Sequence, residues 1–143
     1  MNEFRLTQIS DPHLARRLTK LTANFDAVSD YIDATRPDLV VNTGDLAFDA
    51  PTSPDDLEFA RALHDALPVA CRYLPGNHDV GDNPTQIGAA PTHPVTERRR
   101  QAFIGAFGDD RGKPVPDDVA PGAVAAVEID GQCDRDRKSR RGA

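Results

Sequence analysis

Three short groups of acidic, amide and imidazole residues each follow a segment whose composition is typical of a β-strand. The groups are Asp11-Pro12-His13, Gly44-Asp45 and Gly76-Asn77-His78-Asp79. Carboxylate, amide and imidazole groups bind divalent metals such as manganese, iron and zinc. Two such ions held side by side can activate water and neutralise charge on a reacting group. We therefore interpret the three groups as parts of one site for two divalent metals.

The segments between these groups predict alternating strands and helices. Apolar residues at helical spacing before Pro37 indicate an amphipathic helix that the proline ends. Ser53 followed by Pro54 indicates the start of a second helix, with Ser53 as its N-cap. The predicted strands are residues 4–10, 39–41, 69–74 and 124–129, and the predicted helices are residues 21–35, 54–67 and 96–107.

This order of elements predicts an α/β fold with a parallel βαβαβ sheet. Parallel strands need long crossover connections, and the first two predicted helices lie where such connections are required. Ligands of open α/β sheets gather beyond the carboxyl ends of the strands. All three groups follow predicted strands, so the topology and the chemistry predict the same location for the site.

The composition limits the classes of partner. The chain has 143 residues and a net charge of −6, which fits one domain and disfavours binding to nucleic acid. It begins without a basic and apolar leader pattern and has no apolar run long enough for a membrane span, so we expect a soluble cytoplasmic protein. Its two cysteines, Cys71 and Cys133, have no metal-binding spacing.

The three groups resemble the first three motifs of the calcineurin-like metallophosphoesterase family. That family's signature runs Asp-x-His, Gly-Asp and Gly-Asn-His-Asp or Glu, followed by Gly-His and Gly-His-x-His. The resemblance covers the first two thirds of the chain, and residues 76–84 also resemble the branch that contains bacterial cyclic-nucleotide phosphodiesterases. It implies that the chain forms the N-terminal half of a four-layer α/β/β/α sandwich.

The resemblance also implies a function and a role for each residue. The implied reaction is hydrolysis of a phosphomonoester or phosphodiester, with a cyclic nucleotide as one candidate substrate and manganese, iron or zinc as candidate metals. By resemblance, Asp11 and His13 bind the first metal, Asp45 bridges both, Asn77 binds the second, His78 is the catalytic acid, and Asp79 fixes the ring of His78.

The sequence departs from the family pattern after its third motif. His93 is the only histidine after His78, and neither Gly-His motif follows. We therefore expect residues 1–108 to be the N-terminal part of a metallophosphoesterase domain and residues 109–143 to be a divergent, partly disordered tail, the product of a truncated or frameshifted reading. Two alternatives stay open: an inactive remnant that keeps a weak cation site, and a site completed by a complementing chain or a homo-oligomer.

Two further expectations concern residues outside the motifs. His64 lies near the end of the second predicted helix, and we interpret it as a solvated or helix-end histidine. A sheet face intended for an absent second half would be left exposed, so we expect the isolated chain to be poorly soluble.

Overall fold

The computed structural model describes residues 3–82, 91–108 and 124–128, the last segment as backbone. In these residues the strands and helices alternate along most of the chain, as the sequence predicts. The elements are β1 (Phe4–Ile9), α1 (Thr19–Thr35), β2 (Leu39–Asn42), α2 (Asp55–Asp65), β3 (Cys71–Tyr73), α3 (Asn77–Val80), α4 (Glu97–Phe107) and β4 (Val124–Glu128).

The described strands form one parallel sheet in the order β3-β2-β1-β4. This confirms the predicted parallel α/β architecture. The first three strands follow one another across the sheet, and β4 lies on the opposite side of β1. The strand order therefore reverses between β1 and β4, and sheets of this kind bind ligands near such a reversal.

One face of the sheet carries the core. Along β2 and β3, and from Thr7 onwards in β1, every second side chain is buried, as expected for a pleated strand under a helical layer. Helices α1, α2 and α4 supply apolar side chains to the same core, and full burial of each large apolar side chain contributes roughly 1.5–3 kcal/mol. The buried strand residues are Thr7, Ile9, Val40, Asn42, Cys71 and Tyr73, and the helical ones include Phe25, Ile32, Leu57, Phe103 and Phe107.

The opposite face of the sheet is half-buried. Leu6 pairs with Leu39, and Val41 lies beside Arg72 on β3. All four side chains are partly accessible to solvent. The two faces therefore differ in how completely they are covered.

The helix ends partly match the sequence prediction. Helix α1 ends at Thr35, and Arg36 adopts a left-handed conformation with φ of 46° directly before Pro37. Helix α2 begins at Asp55, one residue later than predicted, with Pro54 in a helical conformation at its N-cap. The predicted cap by the Ser53 side chain is not formed, and the amide of Asp56 donates to the Ser53 carbonyl instead. In the described part of the chain, no helix has the length and apolar character that a membrane span requires.

The predicted strand after the third helix is present as β4. Most of the predicted tail, residues 109–123 and 129–143, lies outside the described residues. The domain boundary at residue 108 therefore stays a prediction.

Candidate metal centre

Three loops meet at the carboxyl ends of the strands. The first loop follows β1, the second follows β2 and the third follows β3. The amide of Asp11 donates to the Gly44 carbonyl at 3.1 Å, and the amide of His13 donates to the Asp45 carbonyl at 3.0 Å. The third loop joins through the amide of His78, which donates to Oδ1 of Asp45 at 2.9 Å. The three sequence motifs are thus in direct contact at the edge of the sheet where they were predicted to meet.

His13, Asp45 and His78 form the centre of this contact. Each offers one ligand atom, and these atoms lie within 4.8 Å of one another. Nε2 of His13 lies 4.0 Å from Oδ2 of Asp45 and 3.7 Å from Oδ1 of Asp11. Two ligands of one ion at about 2.0–2.2 Å are themselves about 3–3.5 Å apart. A small closure of the side chains would therefore let them share an ion, and their mixed nitrogen and oxygen donors suit manganese, iron or zinc.

The backbone at these residues adopts an uncommon conformation. Asp11, His13 and Asp45 have φ values of 54°, 46° and 54°. The left-handed region costs a side-chain-bearing residue roughly 1–2 kcal/mol. Such residues concentrate at functional sites, where the surrounding structure holds the strained conformation. Here three potential metal ligands from two loops have this conformation.

Two glycines permit the close approach of the second and third loops. A Cβ atom on Gly76 would lie 2.1 Å from Oδ1 of Asp45, which is an impossible contact. Gly44 has a φ of +128°, and a Cβ there would lie 2.9 Å from the Gly76 nitrogen. The absence of side chains at both positions lets Asp45 reach the third loop.

The surroundings of His13 favour the neutral form of its imidazole. Burial lowers the pKa of its imidazole, and the neighbouring His78 lowers it further, whereas Asp45 and Asp11 oppose the shift. Its Nδ1 is buried and has no hydrogen-bond partner among the described residues. A neutral imidazole is the form that binds metals, so the lowered pKa of His13 favours the form that a metal site needs.

His78 is oriented by the backbone of the second loop. Its Nδ1 contacts the carbonyl oxygen of Phe48, and its ring centroid lies 4.5 Å from that of His13. Because a carbonyl only accepts, Nδ1 carries a proton, and Nε2 is the nitrogen that can bind a metal or exchange a proton. Metal-binding histidines commonly donate their second nitrogen to a carbonyl in this way.

The hydrogen-bond partners of Asp79 differ from the expected one. Its carboxylate is buried and accepts hydrogen bonds from the amides of Leu46, Ala47 and Gly76 at 3.2, 2.8 and 2.9 Å. The expectation that it fixes the ring of His78 is wrong, because that ring is held by Phe48. Burial raises the pKa of Asp79 to about 6, although the three amides favour its ionised form. Asp79 connects the second and third loops.

Asp11 and Asn77 lie at the periphery. The carboxylate of Asp11 is exposed and contacts the hydroxyl of Ser10. The side-chain amide of Asn77 donates to Oδ1 of Asp82 at 3.3 Å, which leaves its oxygen as the atom available to a metal. Asp82 was not identified from the sequence, since it lies outside the motifs.

His64 lies in the last turn of α2, as the sequence indicates, but its environment differs from the interpretation. It is fully buried rather than solvated, and its Nε2 lies 3.0 Å from Nδ2 of Asn42. A signal was present in the sequence: position 64 lies seven residues after Leu57 and four after Ala60, on the inward stripe of α2. Asn42 itself bonds to the loop that carries Asp45, since its Oδ1 accepts from the Gly44 amide at 3.1 Å.

Comparison with known proteins identifies related sequences. The sequence model of the family described as calcineurin-like phosphoesterase matches residues 4–130. A curated 3′,5′-cyclic-nucleotide phosphodiesterase from Nostoc sp. is 37% identical over 90 residues, which is 55% of this chain and 33% of the relative. The chain thus spans about a third of that relative's length. The parallel sheet and its helices are consistent with the N-terminal half of the fold of that family.

Proposed function

This chain belongs to the calcineurin-like phosphoesterase family, and we propose that its strand-end loops form a divalent-metal site that hydrolyses a phosphoester. The observation that supports this most directly is the convergence of His13, Asp45 and His78, whose ligand atoms lie within 4.8 Å of one another. These residues are 32 to 65 positions apart in the chain, so local sequence does not bring them together.

The proposed roles follow from position and chemistry. Asp11 and His13 would hold one ion, and Asn77 would hold the second through its amide oxygen. Asp45, whose carboxylate reaches the third loop, would be a ligand of both. Divalent metals at such a site lower the pKa of water and polarise phosphoryl oxygens. His78 presents Nε2 to the reacting group and holds the proton for the leaving oxygen, while the Phe48 carbonyl fixes its ring.

For the substrate, we propose a phosphodiester of the cyclic-nucleotide class. The support is the 37% identity with a relative named as a 3′,5′-cyclic-nucleotide phosphodiesterase. Phosphodiesters carry one negative charge, and metals between carboxylates reverse the local field of an acidic chain enough to bind them.

The test measures manganese-dependent hydrolysis of an aryl phosphate, an aryl phosphodiester and 3′,5′-cyclic AMP by the purified chain. Asp45→Asn should abolish turnover, because it removes the carboxylate that lies between the loops. Asp33→Asn is the matched control, since Asp33 is an exposed helix residue paired with Arg36. Turnover that survives Asp45→Asn would refute the proposed role of this residue.

A second candidate function is cation binding without turnover. It is favoured by the exposure of Asp11, which lies outside the group of three converging residues. Calorimetry distinguishes the two: one weakly bound manganese ion and no hydrolysis would favour the binding module, and two ions with hydrolysis would favour the enzyme. Activity that appears on mixing with a second chain would identify a complemented site.

A further inference from the structure

A chain of hydrogen bonds lies in the core directly behind Asp45. It begins at the Ala60 carbonyl in α2, which lies 2.8 Å from Nδ1 of His64. Nε2 of His64 lies 3.0 Å from Nδ2 of Asn42 at the end of β2. Oδ1 of Asn42 accepts from the amide of Gly44 at 3.1 Å, one residue before Asp45. These hydrogen bonds therefore connect the last turn of α2 to the second loop, which carries Asp45.

The groups at the two ends of this chain of hydrogen bonds determine which atom donates and which accepts in each bond. The Ala60 carbonyl only accepts, so Nδ1 of His64 carries the proton and Nε2 accepts. The Gly44 amide only donates, so the side-chain oxygen of Asn42 faces it and the side-chain nitrogen faces His64. One tautomer and one amide orientation thus satisfy every group in the chain.

The surroundings of His64 exclude alternatives to this arrangement. Its ring lies 4.8 Å from the Phe25 ring, 5.4 Å from Tyr73 and 6.2 Å from Phe107, measured between centroids. Both His64 and Asn42 have no exposed surface. Burial also lowers the pKa of His64 to about 4, which agrees with a neutral ring. A broken bond would leave a polar group unsatisfied in an aromatic environment, so the network has one low-energy state.

The network controls an unusual piece of backbone. Gly44 has a φ of +128°, and its carbonyl accepts from the amide of Asp11 at 3.1 Å. The amide that Asn42 holds and the carbonyl that contacts the first loop lie on either side of the Gly44 Cα. The position of Gly44 therefore affects both the direction of Asp45 and the contact with the first loop.

We propose that Asn42 and His64 are positioning residues that hold the Gly44 amide and thereby place the Asp45 carboxylate for metal binding. This inference rests on the proposed metal site. Neither residue contacts the metal ligands through its own side chain in this arrangement. Their effect acts through the backbone of the second loop, as outer groups of metal sites commonly act on the ligands.

The first experiment measures manganese affinity by calorimetry in Asn42→Leu and in Val40→Ala. Both residues are fully buried on β2, but Val40 makes no side-chain hydrogen bond, so Val40→Ala controls for a general loss of packing. We expect Asn42→Leu to weaken manganese binding about tenfold or more, and Val40→Ala to leave it within about twofold of the parent. Equal affinities in the two variants would overturn the proposal.

A second pair of variants keeps the test valid if Asn42→Leu fails to fold. His64→Leu removes both hydrogen bonds of the ring, whereas His64→Gln offers an acceptor to Asn42 and a donor to Ala60. The affinity should fall in His64→Leu and recover in His64→Gln. If His64 only stabilised the fold, the manganese affinity of both variants would change in proportion to their free energy of unfolding. That result would contradict the proposed positioning role.

The third measurement needs no metal and separates this inference from the proposed function. Hydrogen exchange of the Gly44 amide should accelerate about tenfold or more in His64→Leu but not in Val40→Ala, because its acceptor is then released. If the parent chain binds no manganese, the proposed function fails, and this exchange rate still decides whether the network holds the loop. Unchanged exchange in His64→Leu would overturn the inference.

Discussion

At the scale of single residues, Gly76 sets how closely the second and third loops approach. An added methyl group would overlap Oδ1 of Asp45, whose nitrogen and Cγ are also within 2.7 Å of the new atom. Gly76→Ala should therefore separate the loops, lower stability by roughly 1–3 kcal/mol and weaken manganese binding. Urea unfolding and calorimetry measure the two effects.

The matched control for this change is Gly105→Ala. Gly105 lies in α4, and a Cβ atom there would meet no atom within 4 Å. It should raise stability by roughly 0.5–1 kcal/mol, since alanine favours the helix. Equal effects of the two substitutions would contradict the steric argument for Gly76.

His64 should make stability depend on pH. Its pKa is lowered from 6.5 to about 4 by burial, so the unfolded ring gains a proton at a higher pH than the folded one. Its contribution is present above pH 6.5 and is lost as pH falls towards about 4. At about pH 5 the expected loss is roughly 2 kcal/mol.

The titration of Asp79 changes stability with pH in the opposite direction, so its effect must be separated from that of His64. Its pKa is raised to about 6, so its contribution is lost as pH rises from about 4 to about 6. Urea unfolding of the parent and of His64→Gln near pH 7 and near pH 5 isolates the histidine, because Asp79 is present in both. A stability difference that is the same at both pH values would contradict the assignment.

The sequence predicts which residues reach the site better than it predicts their partners. His13 and Asp45 follow strands, and parallel strand ends meet at one edge, so their convergence follows from topology. The partners of Asp79 depend on which amides of another loop are close in the folded chain. Nothing near Asp79 in the sequence identifies Leu46 and Ala47 as those amides.

At the scale of elements, the order of strands and helices was predictable, but their ends were not. Strand β2 continues to Asn42, one residue beyond the apolar run, because that residue pairs with Ile9 and Tyr73. Strand β3 has three residues, fewer than predicted, since β2 offers partners to those three. Helix α3 has four residues, too few for an apolar period to reveal.

Asp79 connects α3 to the second loop through hydrogen bonds, and Asp79→Asn tests this connection. Oδ2 accepts from two amides and Oδ1 from a third, so either orientation of an asparagine places a nitrogen against at least one amide. The loss should be about 1–3 kcal/mol, with faster hydrogen exchange at Ala47. Both are measurable by urea unfolding and NMR.

Asp65→Asn controls for the loss of one negative charge. Asp65 is exposed on α2 and pairs with Arg61 four residues earlier. Its substitution should change stability by no more than about 0.5 kcal/mol. If the two asparagine variants unfold at the same urea concentration, Asp79 does not connect the loops in the way its bonds indicate.

At the scale of the whole molecule, the two faces of the sheet have different surroundings. Val40 on β2 is fully buried beneath the helices, whereas its neighbour Val41 is half-buried on the opposite face. Leu6 and Leu39 lie on that same half-buried face. An accessible apolar surface of this kind promotes association with other apolar surfaces.

The isolated chain should therefore bind a hydrophobic dye such as ANS and sediment as more than a monomer. Val41→Thr should reduce both effects with little loss of stability, because its side chain is partly solvated. Val40→Thr is the matched control on the same strand: it places a hydroxyl in the core, should cost about 1–3 kcal/mol, and should not reduce dye binding. A monodisperse monomer with a cooperative thermal transition and no dye binding would show that the half-buried face of the sheet does not promote association.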